Sequence, residues 1–250
     1  MTSSHPAPPT DLTEPLEVDP ADWEPRQVYF LLTGLVVPRP IAWVSTRSPD
    51  GVRNVAPHSY FQAVSNDPPH IVFSSTGEKD TLRNVRAAGE FVVNLVSADL
   101  VEQMNFTATD FPPDEDEFTW AGLTEAPAVR VDAPRVAEAR AHLECEVRHE
   151  LAVGNGNLVV AEVVHVHVDP SVWREGRVDP VAYDPVCRLA GTRYATLGEV
   201  FKLPRPSWAR DVQGTAPGEA IPRGGPRRRR DDPGERGTQN LEPTDDLEPR

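Results

Sequence analysis

The chain has only two cysteines in 250 residues, Cys145 and Cys187. That is too few for a disulfide scaffold or a zinc ribbon. At most one disulfide could form, and the N-terminus shows no basic start and no apolar stretch of a signal peptide. The expected compartment is therefore the reducing cytoplasm. Long apolar runs are also missing. A membrane helix needs roughly 18–20 apolar residues. The longest stretch, Val28 to Val37, is broken by Thr33 and Gly34 and followed by Pro38. There is no nucleophile elbow, HExxH, Walker loop or GxGxxG, so these common catalytic and phosphate-binding signatures are absent. Positive charge is scarce: 25 Lys and Arg stand against 39 Asp and Glu, a formal net charge of −14. An acidic body repels nucleic acid and anionic lipid, so neither is an expected partner.

Proline is in excess, 27 of 250, and fourteen of these lie in residues 1–25 and 204–250. Residues 1–22 have five acids, no base and no hydrophobic periodicity, which reads as a disordered segment. From Ser207 the few apolar residues are scattered among eight arginines and nine acids. Residues 207–250 are expected to be a disordered tail. Arg227 to Arg230 could anchor a phosphate or nucleic acid, but Asp231 and Asp232 follow directly, and a solvated tail is the expectation. Residues 23–206 remain as one domain.

Within that domain, Trp23–Leu35 has apolar residues near helical spacing and a stop at Gly34. Strand-like runs follow at Pro40–Arg47, at Val52–Val64 with a break near Ala56-Pro57, and at His70–Ser75. Thr81–Ala88 reads as a helix ended by Gly89, Phe91–Val96 as a buried strand and Ala98–Thr107 as a helix. The acidic, Pro-containing 110s read as a surface loop. Ala141–Val153 and Leu158–Val168 alternate, and Gly154-Asn155-Gly156-Asn157 between them is a strong hairpin signal. The pattern predicts a mainly β fold, an antiparallel barrel with a few short helices.

Polar and small residues gather at three consecutive strand ends. These are Ser45-Thr46, then Asn54 with Ala56, Pro57, His58 and Ser59, then Ser74-Ser75-Thr76 leading to Lys79, Asp80 and Thr81. Lys79 lies just before a predicted helix start, where Asp80 or Thr81 would be the N-cap. Free amides, a dipole end and a lysine charge together suit a phosphate monoester. A plainly capped helix with an exposed lysine is the simpler alternative. Ala56-Pro57 inside a strand leaves backbone groups free for a flat heteroaromatic edge, or marks an ordinary bulge.

Val37-Pro-Arg-Pro-Ile-Ala-Trp-Val-Ser-Thr46, Gly51, Asn54-x-Ala-Pro-x-Ser59-x-Phe61, Asp67-Pro-Pro69, and Lys79-Asp-Thr81 with Asn84 resemble, in order and spacing, the flavin reductase-like family, the flavoredoxin branch of the FMN-binding split barrels. Tyr194–Glu199 and Phe201–Pro206 resemble that family's last strand. The resemblance spans about residues 27–206. It implies a homodimer of split barrels with noncovalent FMN, or FAD in its place, near the interface. By the same resemblance, Ser45 and Thr46 would contact the ribityl–phosphate part. Ala56 to Ser59 would lie along the isoalloxazine and ribityl groups, and Lys79, Asp80 and Thr81 would hold the phosphate. Asn54 and Ser75 belong to the same candidate site, and Asn105 would lie near the ring.

Other candidates read as structural. His165 and His167 share a strand face near His142 and His149, and exposed sheet histidines are expected rather than a metal site. Cys145 reads as buried and Cys187 as a loop residue. Trp43 and Trp120 read as packing. The expected function is an NAD(P)H-dependent flavin reductase, with NAD(P)H as co-substrate and a monooxygenase or redox protein as acceptor. An FMN electron carrier without its own NAD(P)H site is the alternative. No catalytic side chain is singled out, because the flavin carries the chemistry.

Overall fold

The structure, a computed structural model, describes residues 11–216. Residues 1–10 and the Arg227–Arg230 run lie outside them. Helix α1 spans Pro25–Leu35, starting two residues later than expected because Pro25 takes the first helical position, where its missing N–H costs nothing. Seven strands then form one antiparallel sheet: β1 (Ala42–Arg47), β2 (Arg53–His58), β3 (Phe61–Asn66), β4 (Pro69–Thr76), β5 (Glu90–Leu95), β6 (Ala141–Val153) and β7 (Gly156–Val168). Their lateral order is β2-β1-β5-β6-β7-β4-β3.

This order has a consequence for shape. The two edge strands, β2 and β3, are consecutive in sequence and joined only by Ser59 and Tyr60. So short a link forces the sheet to curl until its edges meet. The Ser74 amide, donating to the Tyr60 carbonyl at 2.9 Å, carries the β3–β4 ladder into the link, and across the seam the His58 ring lies 4.8 Å from the Phe73 ring. The result is the expected mainly β split barrel with a few short helices.

Strand β1 is buried on both faces, which is why AWVSTR lacks polar alternation. Ala42 and Val44 enter a cluster with Phe73, Phe91, Val93, Cys145 and Ala161. Trp43 enters a second cluster with Val55, Met104, Phe118 and Val136. Helix α2 (Asp80–Ala88) seals the first cluster with Leu82 and Val85. Helices α3 (Val101–Phe106) and α4 (Glu117–Trp120) cover the second through Met104 and Phe118.

Two turns rest on glycine. Gly89 ends α2 at φ +73°, a left-handed cap. Gly156 closes the long hairpin where an added Cβ would lie 2.8 Å from Ser74 Oγ. The break in Val52–Val64 falls at Ser59-Tyr60, not at Ala56-Pro57. Trp43 pairs with Pro57 and Val44 with Ala56 in regular register, so there is no bulge there. β2 is an edge strand, and an edge tolerates a residue without an N–H. The 110s also hold more order than a plain loop, since Asp116 caps α4 by accepting from the Phe118 and Thr119 amides. Near the C-terminus, strand pairing over 194–206 reduces to Tyr194–Ala195 against Cys187–Arg188. Residues from Phe201 form a separate unit, without regular structure to Ser207 and then turning once over Trp208–Val212. No helix of the described residues is long and apolar enough to cross a membrane.

Phe73 is fully buried against Phe91, at 5.2 Å between ring centroids, and against His58. Phe73→Ala should cost about 3–5 kcal/mol, the range for truncating a core aromatic. Urea denaturation measures this; a loss below about 1 kcal/mol would show that the seam does not depend on this contact.

Candidate functional site

The seam between β2 and β4 opens into a cleft of about 540 Å³. One wall is the unpaired side of β2 with Asn54, Ala56, Pro57, His58 and Ser59, and the other is the end of β4 with Ser74 and Ser75. The start of α2 closes one end, through Lys79, Asp80 and Thr81, and residues 107–113 lie across it. Nine of the residues singled out from sequence thus meet on one cavity: Asn54, Ala56, Pro57, His58, Ser59, Ser75, Lys79, Asp80 and Thr81.

Three do not. Ser45 is fully buried, donating to the Pro134 carbonyl at 2.5 Å and accepting from Asn94 Nδ2 at 2.9 Å. It faces the Trp43 side of β1 and has no surface for a ligand. Thr46 is also fully buried, behind Asn54. Asn105 is exposed on α3 away from the cleft and accepts from the Tyr194 hydroxyl at 2.8 Å. Trp43 likewise packs inside, its indole N–H donating to Thr107 Oγ1 at 2.9 Å. Trp120 stacks on Phe111 at 6.2 Å, beside the cleft rather than in it.

Thr46 matters through a network. Asn54 Oδ1 accepts from Thr81 Oγ1 at 3.0 Å and from Thr46 Oγ1 at 3.3 Å, and Asn84 Nδ2 donates to Thr46 Oγ1 at 3.0 Å. Asn54 Nδ2 donates to Glu117 Oε1 at 2.7 Å. This web ties β1, β2, α2 and α4 together and fixes the start of α2. The N-cap of α2 is Lys79, with no side-chain cap bond, rather than Asp80 or Thr81 as expected. Thr81 is committed to Asn54, and Asp80 pairs with Arg83. A nine-residue helix thus presents uncapped amides and its positive dipole end to the cleft. Lys79 sits beside them, reaching across to Asp110 at 3.1 Å in an exposed pair.

Among the described residues, five buried side-chain atoms lack any hydrogen-bond partner, and three of them belong to residues of the cleft wall: His58 Nε2, Ser75 Oγ and Glu117 Oε2. Buried polar atoms are normally paired, so a cluster of three marks a place where a polar ligand completes the structure. Burial pushes the His58 imidazole down to about 4, the Lys79 charge pushes the same way, and a hydrogen bond to the Ser74 backbone opposes both. His58 is therefore neutral near pH 7. With its other nitrogen bonded to the Ser74 carbonyl, Nε2 is an acceptor. Burial also raises the Glu117 pKa, as does neighbouring Asp116, against hydrogen bonds from Asn54 and the backbone. The cleft therefore pairs an anion-binding end with buried acceptors awaiting hydroxyl or N–H donors.

A second cluster adds one residue, Glu144, to the histidines that the strand spacing already marks. Glu144, His165 and His167 place ligand atoms within 4.8 Å of one another. The histidines are half-buried rather than exposed, and His142 is buried. Glu144 is fully buried and accepts from His167 Nε2 at 2.5 Å and from the Val129 and Arg130 amides at 2.8 and 2.6 Å. Burial works to raise its pKa, but these bonds together hold it below the usual range. Its oxygens are spent on fastening the 129–130 loop to the sheet. Cys145 is buried, and burial pushes its thiol far up, as it pushes the half-buried Cys187 thiol up. Neither is poised as a thiolate.

Comparisons with known proteins converge on one family. The model of the flavin reductase like domain matches residues 34–184. An uncharacterized protein of Halalkalibacterium halodurans is 38% identical over 204 residues, covering 77% of this chain and 97% of its own. Nitrilotriacetate monooxygenase component B from Bacillus cereus superposes with a TM-score of 0.74 at 36% identity, over 77% of this chain and 100% of that one. The 2-nitrobenzoate 2-nitroreductase of Pseudomonas fluorescens does so at 0.72 and 30% identity, over 77% and 98%.

The His58 shift makes a pH prediction. Its ordinary pKa of 6.5 falls to about 4 in the fold, so between these values the unfolded chain binds more protons. Stability therefore falls as pH drops through that window. Burial lowers His142 to about 4 in the same way, so thermal melts of the ligand-free protein should show this slope, and His58→Gln should make it shallower without abolishing it. Parallel slopes for the two proteins would contradict the assignment.

Proposed function

The chain belongs to the family of flavin reductase-like domains, and on that premise we propose that it is an FMN-binding oxidoreductase, an NAD(P)H-dependent flavin reductase that passes electrons onward. The observation that carries this reading is the composition of the cleft. A phosphate monoester suits the uncapped start of α2 beside Lys79. A hydroxyl-bearing chain suits the buried acceptors Glu117 Oε2 and His58 Nε2 and the Ser75 hydroxyl. A flat ring suits the unpaired edge of β2 along Ala56–Ser59. FMN has these three parts in this order. FAD shares them but carries a second nucleotide that must leave by the open side.

When bound, FMN supplies the hydride acceptor and the electron store. The chain's own part is to bind, orient and exclude water. Lys79 would exchange Asp110 for the phosphate. His58, neutral and packed on Phe73, would offer an acceptor without adding charge. Asn54 would act indirectly, since its side chain is committed to Thr81, Thr46 and Glu117. Ser45 is left out, and Thr46 acts only by fixing Asn54.

The same reading gives a cytoplasmic homodimer. Tyr29 lines the cleft, and α1 leaves Phe30, Leu32 and Leu35 exposed beside it, an apolar strip that a second copy would cover. The acceptor of the electrons would be a monooxygenase partner using reduced flavin. A carrier role, with reduction by a protein rather than NAD(P)H, is the second reading. The net charge of −14 favours it, because an acidic surface suits docking of a basic redox partner.

Anaerobic mixing of the FMN-loaded protein with NADH or NADPH separates the two readings. Rapid bleaching of the flavin's visible band with either nucleotide is the expected result. Binding of FMN with no bleaching by either would leave the carrier reading. Lys79→Ala should weaken FMN roughly tenfold at low salt, and less at high salt, as loss of one exposed charge-assisted contact. Fluorescence titration checks this, and unchanged affinity would remove Lys79 from the phosphate site.

A further inference from the structure

Glu117 lies in the acidic stretch that the sequence marks only as a loop, yet it is 5% exposed. It is held there by α4, whose cap Asp116 is itself clamped by Arg53 at 2.5 Å, and by the neighbouring Phe118, buried in the core. Its two oxygens have different fates. Oε1 accepts from Asn54 Nδ2 at 2.7 Å, the Val55 amide lies near the carboxylate, and Oε2 is buried with no well-aligned hydrogen bond. The residue stands in the wall common to the main cleft and a neighbouring one of about 510 Å³, together with Asn54, Asp80 and Arg83.

Leaving a carboxylate oxygen desolvated and unpaired is costly, by more than for a neutral group. A leucine or methionine there would pack without that cost, so the oxygen is expected to gain a partner that the chain alone does not supply. A phosphate is excluded as that partner by charge. Backbone carbonyls and ring acceptors offer no proton. The flavin ring carries an N–H, but that ring is assigned to the β2 edge along Ala56–Ser59, so the fitting group beside the phosphate end is a hydroxyl, which donates to a carboxylate in a short, charge-assisted bond.

We propose that Glu117 is a specificity-determining residue of the cleft, accepting a hydrogen bond from a hydroxyl of the ribityl chain and so selecting flavins that carry a free polyol. This rests on the flavin reading given above. Glu117 acts with the uncapped α2 start in a division of labour: the helix end takes the anion and Glu117 takes the donor beside it. The Asn54 bridge keeps the two in fixed register, because Asn54 touches both Glu117 and Thr81.

The test is Glu117→Gln, titrated by flavin fluorescence with FMN, riboflavin and lumiflavin. Glutamine keeps an oxygen for Asn54 and turns the free acceptor into a donor. The expected result is a loss of roughly tenfold or more for FMN and riboflavin alike, the size of a charged hydrogen bond. Lumiflavin, which has the ring and no polyol, should bind both proteins equally. The ratio of riboflavin to lumiflavin affinity is the decisive quantity, because any loss of folded protein lowers both alike. An unchanged ratio, whether through unaltered riboflavin binding or an equal loss for all three, overturns the proposal and leaves the flavin reading standing. Failure of the wild-type protein to bind any of the three overturns that reading, and this proposal with it.

Discussion

The site depends on a link of two residues. Ser59 and Tyr60 connect the two edge strands of a seven-stranded sheet. The strands must therefore come together, yet β2 and β3 do not pair with each other. A sheet edge left open in water is a liability that proteins ordinarily cover. Here the curl of the barrel turns that edge inward, and the His58–Phe73 contact fixes the width of the opening. The unpaired side of β2 becomes the wall of a cleft instead of a route to aggregation.

The second constraint is polar. Around the start of α2 almost every side chain is spent on another: Thr81 and Thr46 on Asn54, Asn84 on Thr46, Asp80 on Arg83. Buried networks of this kind specify one arrangement when fully satisfied. Against that background the three unpartnered atoms stand out, since all belong to residues of the same cleft wall. The ligand-free protein bears their desolvation as a standing cost in stability. Binding sites commonly carry such a cost, because polar groups arranged for a ligand are not arranged for the fold alone. Elsewhere, as at Glu144, a buried carboxylate has every bond it needs from the chain.

Much of this was legible from sequence, and the failures have physical reasons. The 141–168 hairpin is plain in the alternation and the Gly-Asn pair, because local turn chemistry decides it. The residues that line the cleft are legible as polar and small groups gathered at three strand ends. Ser45 and Thr46 belonged to the same pattern and were misplaced, because β1 turned out to be covered on both faces by long-range packing. From sequence Pro57 reads as a break, because nothing local shows that β2 is an edge. Glu117 was missed because it sits among surface acids. The hints available were the Asp116 cap signal and the apolar Phe118 that draws the turn inward. Glu144 was missed because alternation marks only a face and does not reveal what covers it. The last-strand resemblance over 194–206 also outran the structure: Pro204 and Pro206 have no N–H to give to a ladder.

The central claim is that the cleft's unpartnered polar atoms and its uncapped helix are two ends of one flavin site. A crystal structure of the protein grown with FMN tests this most directly. The account predicts the phosphate at Lys79–Thr81, the polyol against Glu117 and Ser75, and the ring along Ala56–Ser59 with His58 Nε2 no longer orphaned. FMN bound at another surface, with His58, Ser75 and Glu117 still unpartnered, would contradict it.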